Sequence, residues 1–364
     1  MRRIALALLF ISIVTAGFPA PSDAADDIVI TGSGWGHGVG MSQYGAKGMA
    51  SAGSSASQIL GHYYSGTSVG TVNGSTVKSF VVNEAMPLWV GLMQNETTVT
   101  FKPVGGGATV CFESNGTTDC LPTAAGKGQL WRYKVIDAST CVYERQVAGT
   151  WTQQGDEGPC DGTVRPNGGS SISFVYLGKT FHNGVLRLRK DPDGAGVHAV
   201  WQTALEPYLK GIAEVPSSWP TAALRAQAIA ARSYAVSRIG WRGSATSFSS
   251  SRKASCYCNL YATTYDQAFV GVAAESGAWV SAVNATSGKI VVANGRSAET
   301  FYSSSSGGRT EANQHYWGSS PISYLQGVDD SAAHTAAAGN PHSSWSVSVA
   351  PSTLAGKLGF SSVT

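Results

Sequence analysis

Residues 201–240 read WQTALEPYLKGIAEVPSSWPTAALRAQAIAARSYAVSRIG and form the clearest helical stretch of the 364-residue chain. Leu205, Leu209 and Ile212 recur at helical spacing, so one apolar stripe would face a core. Pro216 cannot continue a helix. The pattern therefore predicts a first helix that Pro216 stops.

A second helix is predicted from Pro220, which suits a first helical turn, to Gly240, which suits a helix end. The segment between them is rich in alanine, and a helix of small side chains can approach its neighbours closely. Gln227 and Tyr234 share one face of this helix by their spacing. With Arg232 they are the polar groups that a buried helix would have to anchor, and the simplest interpretation is a core helix.

Glu214 follows the first predicted helix and has apolar neighbours in Ile212 and Val215. A carboxylate at that helix end would meet the negative end of the helix dipole, and apolar surroundings also disfavour the ionised form. A general acid for glycosidic cleavage needs a carboxyl that stays partly protonated near neutral pH. The alternative is a structural glutamate paired with Arg232 or another base, and the residue pattern alone favours that alternative.

The first residues of the chain have the layout of a signal peptide, which we place at residues 1–24. Arg2 and Arg3 precede a short, mostly apolar run, and Ala24 is the small residue at the exit. The run is short for a membrane span, although an uncleaved anchor is the alternative. We expect a secreted or cell-wall protein with no stable membrane span after signal cleavage.

The composition excludes some classes of partner. The formal net charge is +3 and only 13% of the residues are charged, so nothing in the chain indicates a nucleic-acid partner. Aromatic residues make up 10% of the chain and include ten tryptophans. A weakly charged exported chain rich in tryptophan and tyrosine is typical of proteins that handle neutral polymers such as glycans.

The six cysteines all follow the signal segment: Cys111, Cys120, Cys141, Cys160, Cys256 and Cys258. In an oxidising compartment the first four predict two disulfides, the first with the second and the third with the fourth, although three pairings are open. Cys256 and Cys258 are separated by one residue, which is too tight for an easy disulfide. No convincing set of further metal ligands lies near them.

The four clustered cysteines fall in a region whose pattern is that of a β-rich insertion, residues 69–177. Short β-branched and aromatic stretches alternate there with Gly, Asn and Pro clusters. The predicted strands are 79–82, 97–101, 131–136 and 172–176. A further strand is predicted beyond the insertion at 184–190, GVLRLRK.

Two more stretches concentrate polar and aromatic side chains. Residues 35–45, WGHGVGMSQYG, include four glycines and precede a predicted helix at 54–64. Residues 299–318, ETFYSSSSGGRTEANQHYWG, predict a strand end near Tyr302 and then a hydroxyl-rich loop. Hydroxyls beside aromatic rings suit sugar binding, while a structural glycine corner and an ordinary Ser/Gly loop are the alternatives. Neither stretch has the spacing of a dinucleotide fingerprint or a nucleophile elbow, and the chain has no H-E-x-x-H.

Three segments together resemble the SpoIID/LytB domain family. They are GWGHGVGMSQYGAKGM at 34–49, LEPYLKGIAEVPSSWPTAALRAQAIAARSYA at 205–235 and FYSSSSGGRTEANQHYWG at 301–318. The resemblance implies an α+β, SpoIID-like core made of residues 25–68 and 178–364, with the disulfide-stapled insertion between them. In many relatives the glycine-rich signature comes last, so its early place here implies a permuted order.

The resemblance also implies an activity. The family includes lytic transglycosylases that cut peptidoglycan glycan strands, notably strands without stem peptides, and proteins described as amidase enhancers. Its catalytic glutamate corresponds to Glu214. A single carboxyl would cleave the bond between N-acetylmuramic acid and N-acetylglucosamine with a 1,6-anhydro product and no cofactor. A non-catalytic wall-binding module, an amidase enhancer and a structural surface protein are the alternatives, and a cell-wall amidase is a candidate partner.

The remaining site residues also follow from the resemblance. Around Glu214 we expect side chains that orient it or bind the sugar: Gln227, Arg232, Tyr234, Tyr302, Ser304, Ser305, Ser306, Trp35, His37 and Gln43. We further expect residues 35–44 to lie beside Glu214 in space. Some relatives use a cysteine pair before a glutamine for zinc, but Tyr261 and Asp266 stand at those places here. We therefore predict no metal site.

Overall fold

A computed structural model describes residues 26–72 and 85–361, which combine helices and antiparallel sheets in an α+β arrangement. The predicted signal peptide at 1–24 and the predicted strand at 79–82 lie outside the described residues. Within the described ranges, none of the helices has both the length and the apolar character needed to cross a membrane.

The helices, in chain order, are α1 Gln43–Ser51, α2 Ala56–Tyr63, α3 Leu205–Lys210, α4 Thr221–Arg242, α5 Ser250–Ser255, α6 Gly277–Ala285, α7 Asn313–Trp317 and α8 Pro351–Leu358. The first ten strands are β1 Ile28–Gly32, β2 Met41–Ser42, β3 Ser68–Thr71, β4 Leu88–Glu96, β5 Thr98–Val104, β6 Ala108–Ser114, β7 Thr117–Cys120, β8 Trp131–Val135, β9 Thr140–Val147 and β10 Thr150–Gln153. The others are β11 Gly158–Pro159, β12 Gly162–Pro166, β13 Ser171–Phe174, β14 Lys179–Phe181, β15 Gly184–Lys190, β16 Val197–Thr203, β17 Leu260–Tyr261, β18 Lys289–Ala293, β19 Arg296–Ser297, β20 Tyr302–Ser303 and β21 Trp345–Val349.

Two large sheets dominate the middle of the chain. One has the strand order β17-β4-β16-β15-β12-β6-β7, and the other has the order β10-β9-β8-β5-β13-β14 with β11 beside β9. Their facing side chains, which include Phe101, Trp131 and Trp201, join one buried cluster. Since β15 and β16 continue the sheet of β12 and β6, the pairing runs across the expected boundary at 177.

All six cysteines are paired. The predicted disulfides Cys111–Cys120 and Cys141–Cys160 are confirmed, and both lie in the β-rich region.

Cys256 and Cys258 form a third disulfide, so the expectation that their spacing is too tight is wrong. Tyr257 between them has φ +51°, in the left-handed region that a non-glycine residue rarely adopts. This local turn leaves the two Cα atoms 5.2 Å apart, which is within the span of ordinary disulfides.

The alanine-rich helix α4 is buried on two sides, as predicted for a core helix. One side, with Leu224 and Val236, joins the cluster that continues into the large sheets. The other side, with Ala226 and Ile229, packs in a second cluster against α1 and α2. Small side chains at the contacts allow both layers to approach this one helix.

The helix limits differ from the sequence expectations. Residues 201–203 belong to β16, and α3 spans only Leu205–Lys210, so Ile212 and Glu214 follow it in a loop. The second helix does not end at Gly240 but at Arg242, with Gly243 as its C-cap. Neighbouring chain segments decide both limits, because the residues after α3 pair with a distant loop instead of extending the helix.

The described residues form two compact units, 26–32 with 345–361 and 33–72 with 85–344. In the smaller unit, β1 pairs antiparallel with β21 from Ile28 opposite Val349 to Gly32 opposite Trp345. A Cβ on Gly32 would lie 2.4 Å from the Trp345 ring, so glycine is required there. The following helix α8 begins with a proline and ends at Gly359 in the left-handed conformation.

Candidate active site

The loop after α3 holds Glu214 by pairing with a second loop at 268–270. The Ala213 amide donates to the Ala268 carbonyl at 2.9 Å, and the Val270 amide donates to the Gly211 carbonyl at 2.9 Å. The Ala268 amide in turn donates to Glu214 Oε1 at 2.5 Å. Backbone groups from two segments therefore fix the direction of this carboxyl.

Burial raises the pKa of the Glu214 carboxyl, and the hydrogen bond from the Ala268 amide opposes this only in part. Within the part of the chain that the structure describes, no Lys, Arg or His forms an ion pair with Glu214. The sequence alternative of a glutamate paired with Arg232 is therefore not what the fold contains. Since Glu214 follows α3 by several residues, burial and not the helix end is the cause of its raised pKa.

Glu214 is part of the lining of a groove with a volume of about 490 Å³. The groove is lined by residues that are widely separated in the chain: Trp35, Gly36, His37, Gln43, Glu214, Tyr234, Thr264, Tyr265, Asp266, Phe301, Tyr302, Ser303, Ser304, Tyr316 and Trp317. Several of the aromatic rings at its rim are open to solvent, and Trp35 is 64% and Tyr265 is 74% exposed. A groove with exposed rings beside a carboxyl of raised pKa has the surfaces that sugar rings stack on.

The glycine-rich stretch forms one wall of this groove, so its predicted position beside Glu214 is confirmed for Trp35, His37 and Gln43. Its strand β2 pairs in parallel with β20, and Trp35 exchanges backbone hydrogen bonds with Ser305. Gly40 has φ +75°, and a Cβ there would lie 2.0 Å from the Phe301 carbonyl. Glycine at this position therefore lets the two segments approach each other.

His37 lies against the aromatic side of the groove, with the rings of Trp317 and Tyr316 at centroid distances of 5.3 and 5.9 Å. Its Nδ1 accepts from the Val39 amide at 3.0 Å, so Nε2 is the nitrogen that carries hydrogen in the neutral ring. Burial lowers the pKa of His37, against an opposing hydrogen bond with the Tyr302 backbone. His37 is thus a neutral groove residue near pH 7.

Asp266 is the other carboxylate in the groove wall, and both its oxygens are occupied. Oδ1 accepts from the Tyr234 hydroxyl at 2.8 Å, and Oδ2 accepts from Arg242 at 2.8 Å and from the Tyr261 amide at 2.9 Å. Its side chain is 0% exposed. Asp266 therefore fixes Tyr234 and is tied to an arginine, unlike Glu214. Among the described residues, no group of three or more His, Cys, Asp or Glu is arranged to hold a metal ion.

Tyr302 lines the groove and is connected to the interior by a chain of hydrogen bonds. Tyr208 donates to Gln267 Oε1 at 2.9 Å, and Gln267 Nε2 donates to the Tyr302 hydroxyl at 2.8 Å. Gln267 and Tyr208 are completely buried. The negative charge of Glu214 contributes to raising the pKa of both tyrosines, after burial as the larger cause, so the three groups are close enough to interact.

Two predicted site residues on α4 lie behind the groove wall. Arg232 is 0% exposed and makes a paired contact with Glu206, with both nitrogen–oxygen distances at 2.8 Å. It does not line the groove, and its role there is structural. Gln227 is also buried and accepts a long contact of 3.5 Å from Gln43, which does line the groove. The helix turns these two side chains toward neighbouring layers instead of the cavity.

The four serines at 303–306 do not all face the groove. Ser303 and Ser304 line the groove, whereas Ser305 and Ser306 do not. The Ser305 hydroxyl accepts from Asn340 at 2.9 Å, and the Ser306 hydroxyl donates to Asp330. Of the three predicted serines, Ser304 is thus the one in the groove lining, while Ser305 and Ser306 have their hydroxyls bonded to other side chains.

The sequence analysis did not predict Asp266 as a groove residue or Gln267 as the buried residue behind Tyr302. The family resemblance gave the segment YATTYDQ only the expectation about zinc. Its signal is a polar pair directly before the apolar residues Ala268, Phe269 and Val270. Side chains of that kind, next to a buried segment, are expected to be anchored in specific hydrogen bonds.

Comparison with known proteins finds a family that is similar to one segment of this α+β protein. Residues 193–292, which include Glu214, α4 and Gln267, match the SpoIID family, described as Stage II sporulation protein. Through this segment the chain is similar to the SpoIID/LytB family. No solved structure matches the chain.

The curated relatives are similar over short regions. The amidase enhancer of Bacillus subtilis (strain 168) is 35% identical over 119 residues, which is 32% of this chain and 14% of the relative. Stage II sporulation protein D of Bacillus amyloliquefaciens is 57% identical over 42 residues, 12% of either chain. The protein of that name from Bacillus subtilis (strain 168) is 52% identical over 44 residues, 12% of this chain and 13% of the relative. The chain thus spans about one seventh or less of the length of these relatives.

Proposed function

We propose that this protein is a lytic transglycosylase that cuts peptidoglycan glycan strands with Glu214 as its only catalytic carboxyl. The family and the names of its relatives support a cell-wall-related role. The observation that carries the finer proposal is the difference between the two groove carboxyls. Glu214 has a raised pKa and no basic partner among the described residues, whereas Asp266 is held by an arginine, a tyrosine and a backbone amide.

This difference favours single-carboxyl chemistry over hydrolysis. A glycoside hydrolase ordinarily needs a second free carboxylate, either as a nucleophile or to activate water. Asp266 cannot take that role without giving up its bonds to Arg242 and Tyr234. An internal nucleophile from the sugar removes the need for it.

The reaction would proceed in two steps at one residue. Glu214 gives its proton to the glycosidic oxygen, the bond from that oxygen to C1 of N-acetylmuramic acid breaks, and the oxygen leaves as the C4 hydroxyl of N-acetylglucosamine. The C6 hydroxyl oxygen of the same muramic acid unit then bonds to C1, and its proton returns to the Glu214 carboxylate. The product is a 1,6-anhydro sugar, and no water is consumed.

The groove would bind the strand through stacking and hydrogen bonds. Trp35, Tyr265, Tyr316 and Trp317 offer exposed aromatic faces in the same lining as Glu214. His37, Gln43, Tyr234 and Ser304 supply polar groups at the same surface. Strands without stem peptides fit this proposal, since the groove wall carries few charges.

The proposed organisation has residues 25–68 and 178–364 as the SpoIID-like core, with 69–177 inserted and the glycine-rich motif in permuted order. The parallel pairing of β2 with β20 supports the permutation, because it joins the two motifs that the order separates. Export and a cell-wall location are part of the same proposal, as is an exported form that begins after residue 24.

A second candidate function is enhancement of a cell-wall amidase without cleavage. It is favoured by the relative named amidase enhancer, which has the longest matched region of the three relatives. In that case the groove would bind glycan while Glu214 remained chemically idle.

Mass spectrometry of purified glycan strands separates the two functions. Strands with and without stem peptides are incubated with the protein and with its Glu214→Gln variant. New 1,6-anhydro ends that depend on Glu214 support the transglycosylase. Binding of strands without new ends, together with faster release of peptides by an added amidase, would favour the enhancer and overturn the first proposal.

A further inference from the structure

Gln267 has an amide orientation that its neighbours determine without ambiguity. Its Nε2 lies 3.2 Å from the Ala231 carbonyl, which can only accept a hydrogen bond. The amide NH₂ must therefore face that carbonyl, and Oε1 must face Tyr208, which then has to donate. The second hydrogen of the NH₂ group is directed at the Tyr302 hydroxyl oxygen, 2.8 Å away.

This arrangement decides the role of the Tyr302 hydroxyl. Its oxygen accepts from Gln267, so its own hydrogen is left for another acceptor. In residues 26–72 and 85–361 no acceptor takes that hydrogen. Tyr302 lines the groove, and the Gln267 amide already occupies one side of its hydroxyl oxygen.

Glu214 has a carboxyl oxygen that can accept a hydrogen bond from a ligand. The Ala268 amide occupies Oε1, whereas Oε2 receives no hydrogen bond from the described residues. Ala268 follows Gln267 directly, so one short segment fixes the carboxyl and the tyrosine together. Tyr302 and Glu214 do not bond to each other directly, although each lines the groove.

We propose that Gln267 is a positioning residue that presents the Tyr302 hydroxyl as a fixed hydrogen-bond donor to a sugar hydroxyl lying between Tyr302 and Glu214. A sugar hydroxyl that accepts from Tyr302 has its own hydrogen left, and Glu214 Oε2 is an unused acceptor in the lining of the same groove. The hydrogen bonds then run in one direction, from Tyr208 through Gln267 and Tyr302 to the sugar and the carboxylate. Such chains strengthen each member.

This inference rests on the proposed function for the identity of the hydroxyl. In that reaction the group whose proton passes to Glu214 is the C6 hydroxyl of the muramic acid unit. Tyr302 would occupy one lone pair of its oxygen and leave the other to attack C1. The fixed donor thus selects a sugar that carries a hydroxyl at C6.

The test is a binding experiment that needs no turnover. Two glycan oligosaccharides are made with sulfur in place of the glycosidic oxygen, which resists cleavage, and they differ only in having a hydroxyl or a hydrogen at C6. Calorimetry gives the affinity of each for the wild-type protein. We expect the hydroxyl form to bind roughly threefold to tenfold more tightly, the effect of one neutral hydrogen bond.

Two variants test the assigned roles. Tyr302→Phe removes the donor, and Gln267→Met removes the group that fixes it at similar length. We expect the preference for the C6 hydroxyl to vanish in the first and to fall in the second. In the double variant the Gln267 change should add nothing to the loss of preference caused by Tyr302→Phe.

Tyr208→Phe is the matched control. It removes a buried hydroxyl from the other side of Gln267 but leaves the Ala231 carbonyl to hold the amide, so the preference should persist despite lower stability. A merely structural role of Gln267 would lower stability and leave the preference of the folded variant unchanged. That result, or wild-type preference in Tyr302→Phe, would overturn the inference. Retained preference with no 1,6-anhydro product would refute the transglycosylase alone.

Discussion

Two half-buried glutamates, one in the β-rich region and one in the groove, show opposite electrostatics. Burial alone would raise the pKa of Glu113, but Arg189, Thr163 and Arg187 surround the carboxylate and hold its pKa below the usual value. Its Oε2 lies 2.5 Å from Arg189. Among the described residues Glu214 has only the Ala268 amide as a partner, and its pKa is raised. Burial of a carboxyl therefore produces a structural anion or a proton donor according to whether a base accompanies it.

The comparison also separates the two carboxyls of the groove itself. Asp266 resembles Glu113 because an arginine and hydroxyl donors surround it, and its bonds fix Tyr234 and the segment that carries Gln267. Glu214 differs from both, because no arginine among the described residues pairs with it. A perturbed carboxyl in a groove is a reasonable site for chemistry, whereas paired carboxylates mainly support geometry.

The largest expected effect is on cleavage. Glu214→Gln should lower the rate of formation of 1,6-anhydro ends by ~10²–10⁴-fold, because the amide keeps the shape but has no proton to give. Mass spectrometry of strands measures this rate. Glu113→Gln is the control and should cut at the wild-type rate. Equal loss in both variants would break the comparison.

The same two substitutions should affect the free energy of unfolding in the opposite order, with the larger loss in Glu113→Gln. Glu113→Gln leaves Arg187 and Arg189 close together without a counter-charge, and we expect the free energy of unfolding to fall by about 1–3 kcal/mol. Glu214→Gln should leave it unchanged or higher at neutral pH, since the amide oxygen can still accept from Ala268. Denaturant unfolding of both variants gives the values, and a Glu214→Gln variant less stable than Glu113→Gln would contradict the assignment.

The pH dependence of the two variants sharpens the same contrast. The folded pKa of Glu214 is raised, so the folded state holds that proton more firmly and wild type loses stability as pH rises from the ordinary carboxyl value through the folded pKa. The folded pKa of Glu113 is lowered, so its contribution is present above the ordinary value and is lost as pH falls through the folded pKa.

Unfolding measured between pH 3 and 8, a range around the ordinary carboxyl pKa of about 4.3, should show these slopes. The stability difference of Glu214→Gln over wild type should grow as pH rises. The deficit of Glu113→Gln should shrink as pH falls. Cleavage should decline at high pH as Glu214 loses its proton. Slopes of the same sign in both variants would remove the basis of the comparison.

A smaller effect is expected at the glycine-rich wall. His37→Ala removes a neutral ring that contacts Trp317 and faces the groove, and KM should rise about twofold to tenfold, the value of one ordinary hydrogen bond. Steady-state kinetics on defined strands measure it. His334→Ala, a histidine that does not line the groove, is the control. Unchanged KM and kcat in His37→Ala would contradict a role of His37 in substrate binding.

No effect is expected from removal of metal ions. Asp266 is bonded to Arg242 and to the Tyr261 amide, so protein contacts occupy the two positions at which the family resemblance would place zinc ligands. Chelator treatment and dialysis should leave the cleavage rate unchanged. Stoichiometric zinc by elemental analysis, with activity lost on its removal, would refute this prediction.

Local patterns predicted much of the framework. The helix around Ile59 and Leu60 lies where its spacing indicated, and the strands near Trp131 and Ile172 and at 184–190 match their patterns to within a few residues. These elements depend on side-chain periodicity along the chain. The first helix of the 201–240 stretch was overestimated, because sheet pairing of β16 took residues that a helical pattern also fits.

The sequence by itself determined the α+β class, the alanine-rich core helix, two disulfide pairs and the family motifs around Glu214. The tertiary structure decided that Glu214 has no basic partner among the described residues, that Arg232 pairs with Glu206, and that Cys256 and Cys258 are joined. It also decided that Gln267 fixes Tyr302. The reason is physical. Each of these properties depends on which distant segments meet, whereas a helix or strand is encoded by residues a few positions apart.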